Sequence, residues 1–386
     1  MNRSRCLLAL VLMVPALTLC PASPGYALVE ALIPERPGDE QRPGAPVRFM
    51  DAAGREISLQ APASRVVVIG TGPFMVLHLL YMFPEAIPRI VGMEERAKLS
   101  AFIRLVDPGF SSKTILKANP GPEQIASLRP DVVLMKGSVV SQTCTSLERL
   151  GIRVAYIGME NPEQFFADLD NIGLMLGNTP RAEEIKAYYR SRIDLVDTRL
   201  RGIPERDKPR LLVIGFTERG GTHAIQVPAA SWMQTLQAWR SGTIPVWVNS
   251  VTRTSDSWNV VNFEQIAVWN PDIVSVIVPH SLKPTELMDR LAWDPQWRLL
   301  KAVRTGRLHP FPSDLYGWDS PEPRWILGLL WTARTAHPER FVDIDMKDEV
   351  VTYFEKLYGM EASLIEERIL PVCTAMDGGE LDVRDR

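Results

Sequence analysis

Short, continuous apolar runs alternating with stretches of helical period organise this chain. Residues 66–69, 89–93, 132–135 and 152–157 are rich in β-branched and aliphatic side chains, and 211–215, 273–278 and 307–311 repeat the pattern. Runs of that length without polar alternation suit strands buried on both faces of a parallel sheet. Helical stretches lie between them, so each set reads as strand, helix, strand, helix, strand, and the predicted class is α/β. In such sheets ligands sit beyond the carboxyl ends of the strands, which directs the search for a site to the loops that follow these runs.

The two sets are related by an internal repeat. Glu123-Gln124-Ile125-Ala126 is followed by Pro130-Asp131-Val132-Val133, and Glu264-Gln265-Ile266-Ala267 by Pro271-Asp272-Ile273-Val274, with seven residues from Glu to Pro in both. Upstream, Arg65-Val66-Val67-Val68-Ile69-Gly70 and Arg210-Leu211-Leu212-Val213-Ile214-Gly215 precede those glutamates by 58 and 54 residues. A period of about 140 residues far exceeds that of a solenoid and predicts two similar Rossmann-like lobes. Between them, Pro162 to Leu176 reads as a helix stopped by Gly177-Asn178, after which Thr179 can cap a new helix with Pro180 at its first position. Ile185, Tyr188, Tyr189, Ile193, Val196 and Leu200 keep helical spacing up to Gly202. Some 22 residues at 1.5 Å each give a rod of about 33 Å, long enough to link two lobes across a cleft. The expected organisation is a leader at 1–27, a flexible segment at 28–46, a lobe at 47–178, a connecting helix at 179–203, a second lobe at 204–370 and an acidic tail at 371–386.

The amino terminus points to export. Arg3 and Arg5 precede an apolar run from Cys6 to Leu19, and Gly25-Tyr26-Ala27 supplies small residues for cleavage before Leu28. Pro15 interrupts the run, which is shorter than the ~20 residues a bilayer span needs. Leu19 is bulky for the position before a lipidated cysteine, so attachment at Cys20 is the weaker reading. Cleavage removes Arg3 and Arg5 and no acid, taking the formal net charge from −3 to −5, and a broad nucleic-acid footprint is not expected. Cys144 and Cys373 then remain, with either a disulfide or two ordinary thiols compatible with an oxidising compartment.

The leader, the two lobes, the lone connecting helix and the paired Glu-Gln-Ile-Ala elements together resemble the class III periplasmic solute-binding proteins of ABC importers, over roughly residues 47–370. That resemblance implies a monomeric periplasmic protein that captures a metal chelate, such as an iron–siderophore complex, between its lobes and delivers it to a permease dimer. Molybdate- or tungstate-type oxyanions, cobalamin and haem are alternative ligands on the same fold. It also implies that Glu123 and Glu264 dock onto arginines of the permease. Both lie near helix starts, where a carboxylate is favoured by the helix dipole without any partner.

Ligand contacts are sought in the loops. In Gly70-Thr71-Gly72-Pro73-Phe74-Met75, with Glu94 or Glu95 ending the next strand, a dinucleotide fingerprint is imitated, but Met75 replaces the third glycine and Pro73 removes a backbone donor. The resemblance makes Thr71 and Phe74 cleft contacts instead. Lys136 and Ser138 close another strand at the same side, and a lysine there can pair with an anion. In the second lobe Arg219 and His223 flank Gly220-Gly221. Tyr316, Trp318 and Arg324 belong to the most distinctive segment. There Ser320 is expected to cap a helix with Pro321 at its first turn, running to about Ala336, its amino end open to an anion. Aromatic packing of that loop is the alternative. The five histidines form no close ligand pair, so no bare metal site and no cofactor is predicted. No nucleophile elbow, phosphate-binding loop or zinc-protease motif is present, and Asp256 with Asp319 is the weak acid–base alternative. The expected protein is a binder and not an enzyme.

Overall fold

A computed structural model describes residues 46–137, 139–219, 222–250, 257–279 and 282–376; within it the side chains of 217–219, 222 and 223 are not described. The expected leader, Cys20, Ser138, Asp256, His280 and most of the acidic tail lie outside the described residues.

A hairpin of β1 (Val47–Met50) and β2 (Glu56–Leu59) precedes a five-stranded sheet of β3 (Val66–Ile69), β4 (Ile90–Glu94), β5 (Thr114–Leu116), β6 (Val132–Lys136) and β7 (Val154–Ile157). The order is β5-β4-β3-β6-β7 and every pairing is parallel. The apolar runs explain it. Val66, Val68, Val132 and Leu134 enter one core, while Val67, Ile69, Val133 and Met135 enter another on the opposite face, as the two-residue period of a strand requires. From β3 the chain builds outward to β5 and then returns to β6, which leaves a topological switch between β3 and β6.

The second sheet contains β8 (Arg210–Arg219), β9 (Thr222–Val227), β10 (Ile244–Pro245), β11 (Asn259–Val261), β12 (Ile273–Ile277) and β13 (Leu308–Pro310), in the order β11-β9-β8-β12-β13. Parallel pairing of β8 with β12 and of β12 with β13 repeats the first sheet. On its other side β8 differs: β10 pairs only with Arg210 and Leu211, and β9 folds back antiparallel against Gly215 to Arg219. The residues on either side of Gly220-Gly221, sought as loop positions, are therefore paired in the sheet.

Helices Pro162–Leu176 and Thr179–Leu200 lie between the sheets in sequence. Gly177, at φ +73, ends the first in the left-handed region that favours glycine. Asn178, and not Thr179, caps the second: its side chain accepts from the Arg181 N–H. The 22-residue helix is a packed element, with Ile185, Tyr189, Ile193 and Val196 buried. Its core is continuous with one face of the first sheet and with the carboxy-terminal helices Trp325–Ala336, Met346–Tyr358 and Ala362–Arg368. The second sheet keeps a separate core. Gly328 lets Trp325–Ala336 approach its neighbours, since a Cβ there would lie 2.3 Å from the Trp318 carbonyl oxygen. Among the described residues no helix is long and apolar enough to cross a membrane.

Candidate functional site

At the switch point the chain leaves β3 through Gly70, whose φ of +101 a glycine tolerates. Its N–H donates to Glu94 Oε2 (2.8 Å), and Arg96 both pairs with that carboxylate (2.5 Å) and donates to the Gly70 carbonyl (3.2 Å). Glu94 is buried. The acid that imitates a ribose-binding residue thus braces the loop from inside. Thr71 is exposed beyond it, and Pro73 starts the helix Pro73–Leu80, on which Phe74 is half-buried. Across the switch, Lys136 at the end of β6 donates to the Gly158 carbonyl (2.5 Å) and pairs with Glu160. Asp168 holds that neighbouring loop by accepting from the Gly158 and Met159 N–H groups, both at 2.9 Å. Burial pushes the Asp168 carboxyl up to about 7 even though these donors favour its anion.

The opposing wall is the segment 311–324, between β13 and the helix Trp325–Ala336. Half-buried Tyr316 lies with its ring centroid 5.2 Å from Phe74 and 5.8 Å, edge-on, from His78. These are distances of ordinary aromatic contact. Beneath this pair is an interior charge network. Arg324 Nε donates to both Asp314 oxygens (2.7 and 2.9 Å), and its Nη1 donates to Glu322 Oε2 (2.9 Å). His78 Nδ1 lies 2.9 Å from the same Glu322 oxygen and Nε2 lies 2.8 Å from Ser100 Oγ. A carboxylate only accepts, so the contact with Glu322 assigns the ring hydrogen to Nδ1 and leaves Nε2 to accept from Ser100. Trp318 Nε1 and the Tyr316 N–H supply further donors to Asp314 (3.0 and 3.1 Å). The guanidinium also lies 4.5 Å from the Phe102 ring centroid. All four charged or titratable side chains are fully enclosed. Burial lowers the His78 pKa. Burial also acts to raise that of Glu322, but the Arg324 charge and the His78 contact outweigh it and hold the carboxyl below its usual range.

The structure therefore brings Phe74 and Tyr316 together, with Thr71 and Lys136 on the same carboxyl-end face, and redirects two other expected contacts. Trp318 and Arg324 have no solvent-accessible surface and serve the interior. The helix begins at Trp325 with Arg324 as its cap residue, four positions after the expected start at Pro321. Its orphan donors do receive an anion, but one from the chain itself, since the Arg324 N–H donates to Glu322 Oε1 (2.7 Å). Lys136 is likewise matched internally, by Glu160. Arg219 pairs with Thr222, and Glu218 with His223, in the backbone ladder of the β8–β9 hairpin. Asp319 is buried near Gln234 (3.5 Å), and burial pushes its carboxyl up to about 6. Cys144 and Cys373 are free thiols.

Sequence reasoning missed the partners that matter most, His78, Asp314 and Glu322. A histidine inside the wholly apolar stretch 73–80 was the available signal, because a buried imidazole needs partners. It also missed Trp232 and Trp258. They pack edge to face at 5.6 Å beside Gly215, level with Ile277 at the end of β12, and both are partly exposed.

Glu123 and Glu264 stand on matched helix starts, and the structure explains the rest of each motif. Gln124 accepts from the Gly121 N–H and Gln265 from the Asn262 N–H, both at 3.0 Å, while Ile125 and Ile266 are fully buried. Arg65 donates to the Leu128 carbonyl and Arg210 to the Trp269 carbonyl. Asp131 and Asp272 accept from the Arg65 and Arg210 N–H groups. Each glutamate is exposed and absent from the ion pairs of the described residues. Beside Glu264 is a groove of about 300 Å³ lined by Ser250, Asn262, Gln265, Val268 and Trp269. A larger groove of about 390 Å³ lies by the amino ends of β4 and β5, away from the switch point, where Lys113 and Asp107 already pair (3.3 Å).

Among the described residues no group of three or more His, Cys, Asp or Glu side chains is placed to hold a metal ion. Aromatic faces over a braced loop suit binding. Comparison with known proteins agrees in kind. Residues 112–315 match a family described as periplasmic binding protein. The molybdate-binding protein MolA of Haemophilus influenzae is 27% identical over 111 residues, which span 28% of this chain and 30% of the relative. Three solved structures share the fold. A periplasmic solute-binding protein of Veillonella parvula has a TM-score of 0.65 at 21% identity, covering 84% of this chain and 97% of that one. Molybdate-bound MolA has 0.65 at 18%, covering 81% and 98%, and Helicobacter pylori CeuE, in a nickel–histidine complex, has 0.65 at 17%, covering 84% and 99%.

Proposed function

This chain belongs to the periplasmic binding protein family, and from that premise we propose that it captures an anionic metal chelate, such as an iron–siderophore complex, outside the cytoplasmic membrane and delivers it to an ABC permease. The observation that carries the reading is the Phe74–Tyr316 pair. Two aromatic side chains from opposite walls meet over the switch point of the first sheet, where ligands of α/β sheets bind. An organic shell offers apolar and aromatic surface to such rings, whereas a small oxyanion needs converging unpaired donors. Lys136 and Arg324 are already matched by carboxylates, so recognition of the negative charge falls to Arg219 and His223 of the hairpin, with Thr71 at the rim. Molybdate is the second reading, favoured by the match to the molybdate-binding protein.

Calorimetric titration of the purified protein with ferric hydroxamate and ferric catecholate chelates, and separately with sodium molybdate, decides between them. Binding of a ferric chelate, weakened about tenfold by Phe74→Ala or Tyr316→Ala, is the expected result. Tight molybdate binding that ignores both substitutions would overturn it. For delivery, Glu123 and Glu264 are the proposed contacts, two equivalent carboxylates facing two related permease subunits, with the groove beside Glu264 available to a cationic side chain.

A further inference from the structure

The interior network does more than satisfy its own members. His78 and Ser100 belong to the first-sheet wall, on the helix behind Phe74 and at the turn before Phe102; Asp314, Glu322 and Arg324 belong to the segment that carries Tyr316. The buried links between the two walls at this point are the His78–Glu322 hydrogen bond and the Arg324 guanidinium over Phe102, and the half-buried Phe74–Tyr316 contact lies above them. Tyr189 of the long helix adds a hydrogen bond to the Pro323 carbonyl (2.5 Å), and Tyr358 one to the His78 carbonyl (3.1 Å). Two carboxylates and one guanidinium enclosed away from the surface have few arrangements in which each charge meets its opposite, so the segment is held in one of them, even with Arg324 Nη2 left without a hydrogen-bond partner.

We infer that His78, Asp314, Glu322 and Arg324 are positioning residues for the ligand site, fixing Tyr316 against Phe74 before any ligand arrives. None of the four touches the ligand. They set how the two rings meet, and with it the aromatic surface that the pair presents to a ligand. This rests on the reading of Phe74 and Tyr316 as ligand contacts, but the conformational part is measurable without a ligand.

The test is hydrogen exchange of the ligand-free mature protein, read by mass spectrometry over 312–324 and over 273–277 as a control, together with titration of a ferric hydroxamate chelate. In His78→Leu, amides of 312–324 are expected to exchange ~100-fold faster or more, as loss of a buried partner predicts, while 273–277 stays protected. His78→Asn places an amide donor near the Nδ1 position and should restore protection and affinity together. If His78→Leu does not fold, Glu322→Gln, which keeps the side-chain shape and removes the charge, carries the same test. Unchanged protection of 312–324 in both variants, equal loss at 273–277, or no rescue by His78→Asn would overturn the inference. A parent protein that binds no ferric chelate while 312–324 responds as expected sinks the ligand reading and leaves the positioning of Tyr316 standing.

Discussion

In the first sheet β3 has parallel neighbours on both sides, whereas in the second β8 has one parallel neighbour over Leu211 to Gly215 and, on its other edge, a two-residue contact followed by a hairpin. The halves that match are those remote from the ligand end: the arginine that donates to a helix carboxyl terminus, the glutamine that reaches back to a helix start, the buried isoleucine and the aspartate that ties two strands together. The halves that differ are the loops beyond the strands. The repeated elements account for the frame and the matched outer glutamates, and the proposed site draws on the ends that differ. On that proposal recognition is uneven, with a braced loop and an aromatic ring on one side and a hairpin on the other.

The sharpest way to test the matched half is charge reversal at both outer positions. Glu123→Arg with Glu264→Arg is expected to abolish uptake in cells at a cost of only about 1–2 kcal/mol in urea unfolding, the loss of two first-turn carboxylates that make no ion pair among the described residues. Uptake that survives removes the docking assignment. Next in size are the buried isoleucines. Ile125→Ala and Ile266→Ala should each cost about 2–5 kcal/mol, with similar values, because the two side chains fill equivalent positions. A large cost at one and none at the other would mean that the repeat is a likeness of sequence without equivalent packing.

Much of this frame was legible. The runs at 66–69, 132–135 and 273–278 became β3, β6 and β12 with almost the expected ends, because continuous apolar residues of strand length have few other places to go. The long helix was legible from its spacing. The site was less so. Ser320-Pro321 has the local chemistry of a helix start, but Glu322 and Arg324 are drawn into the interior by His78 and Asp314, and the helix begins only after them. Those partners are separated from one another by as many as 246 residues, a distance over which periodicity carries no information. The antiparallel pairing of β8 with β9 was not legible for a different reason: a strand that follows glycines can return beside its predecessor or cross to another neighbour, and the apolar pattern does not choose.

Smaller effects refine the comparison. Gly328→Ala should destabilise by about 1–3 kcal/mol, because the added methyl group meets the Trp318 carbonyl as well as the Gln237 side chain, and the backbone cannot swing aside. Chemical denaturation measures it. Asn262→Ala should cost about 1 kcal/mol by removing the acceptor for the Gln265 N–H, while Gly121→Ala, whose position has no side-chain cap to lose, should change little. The last effect is a slope. Burial pushes the Asp168 carboxyl up to about 7 in the folded protein, above the ordinary value of 3.8 that it regains on unfolding. Between those limits the folded state holds more protons, so stability falls as pH rises. Asp168→Asn, which keeps an acceptor for the Gly158 and Met159 N–H groups, should flatten that fall in thermal melts from pH 4 to 8; an unchanged slope would place the titration elsewhere.

The central claim, that the aromatic site holds a metal chelate, is tested most directly by native mass spectrometry with elemental analysis of protein purified from its own periplasm without refolding. One chelated metal per chain, lost in the Phe74→Ala, Tyr316→Ala double variant, is the predicted result. A molybdenum or tungsten oxyanion in its place, or an organic compound that the protein converts, would contradict it.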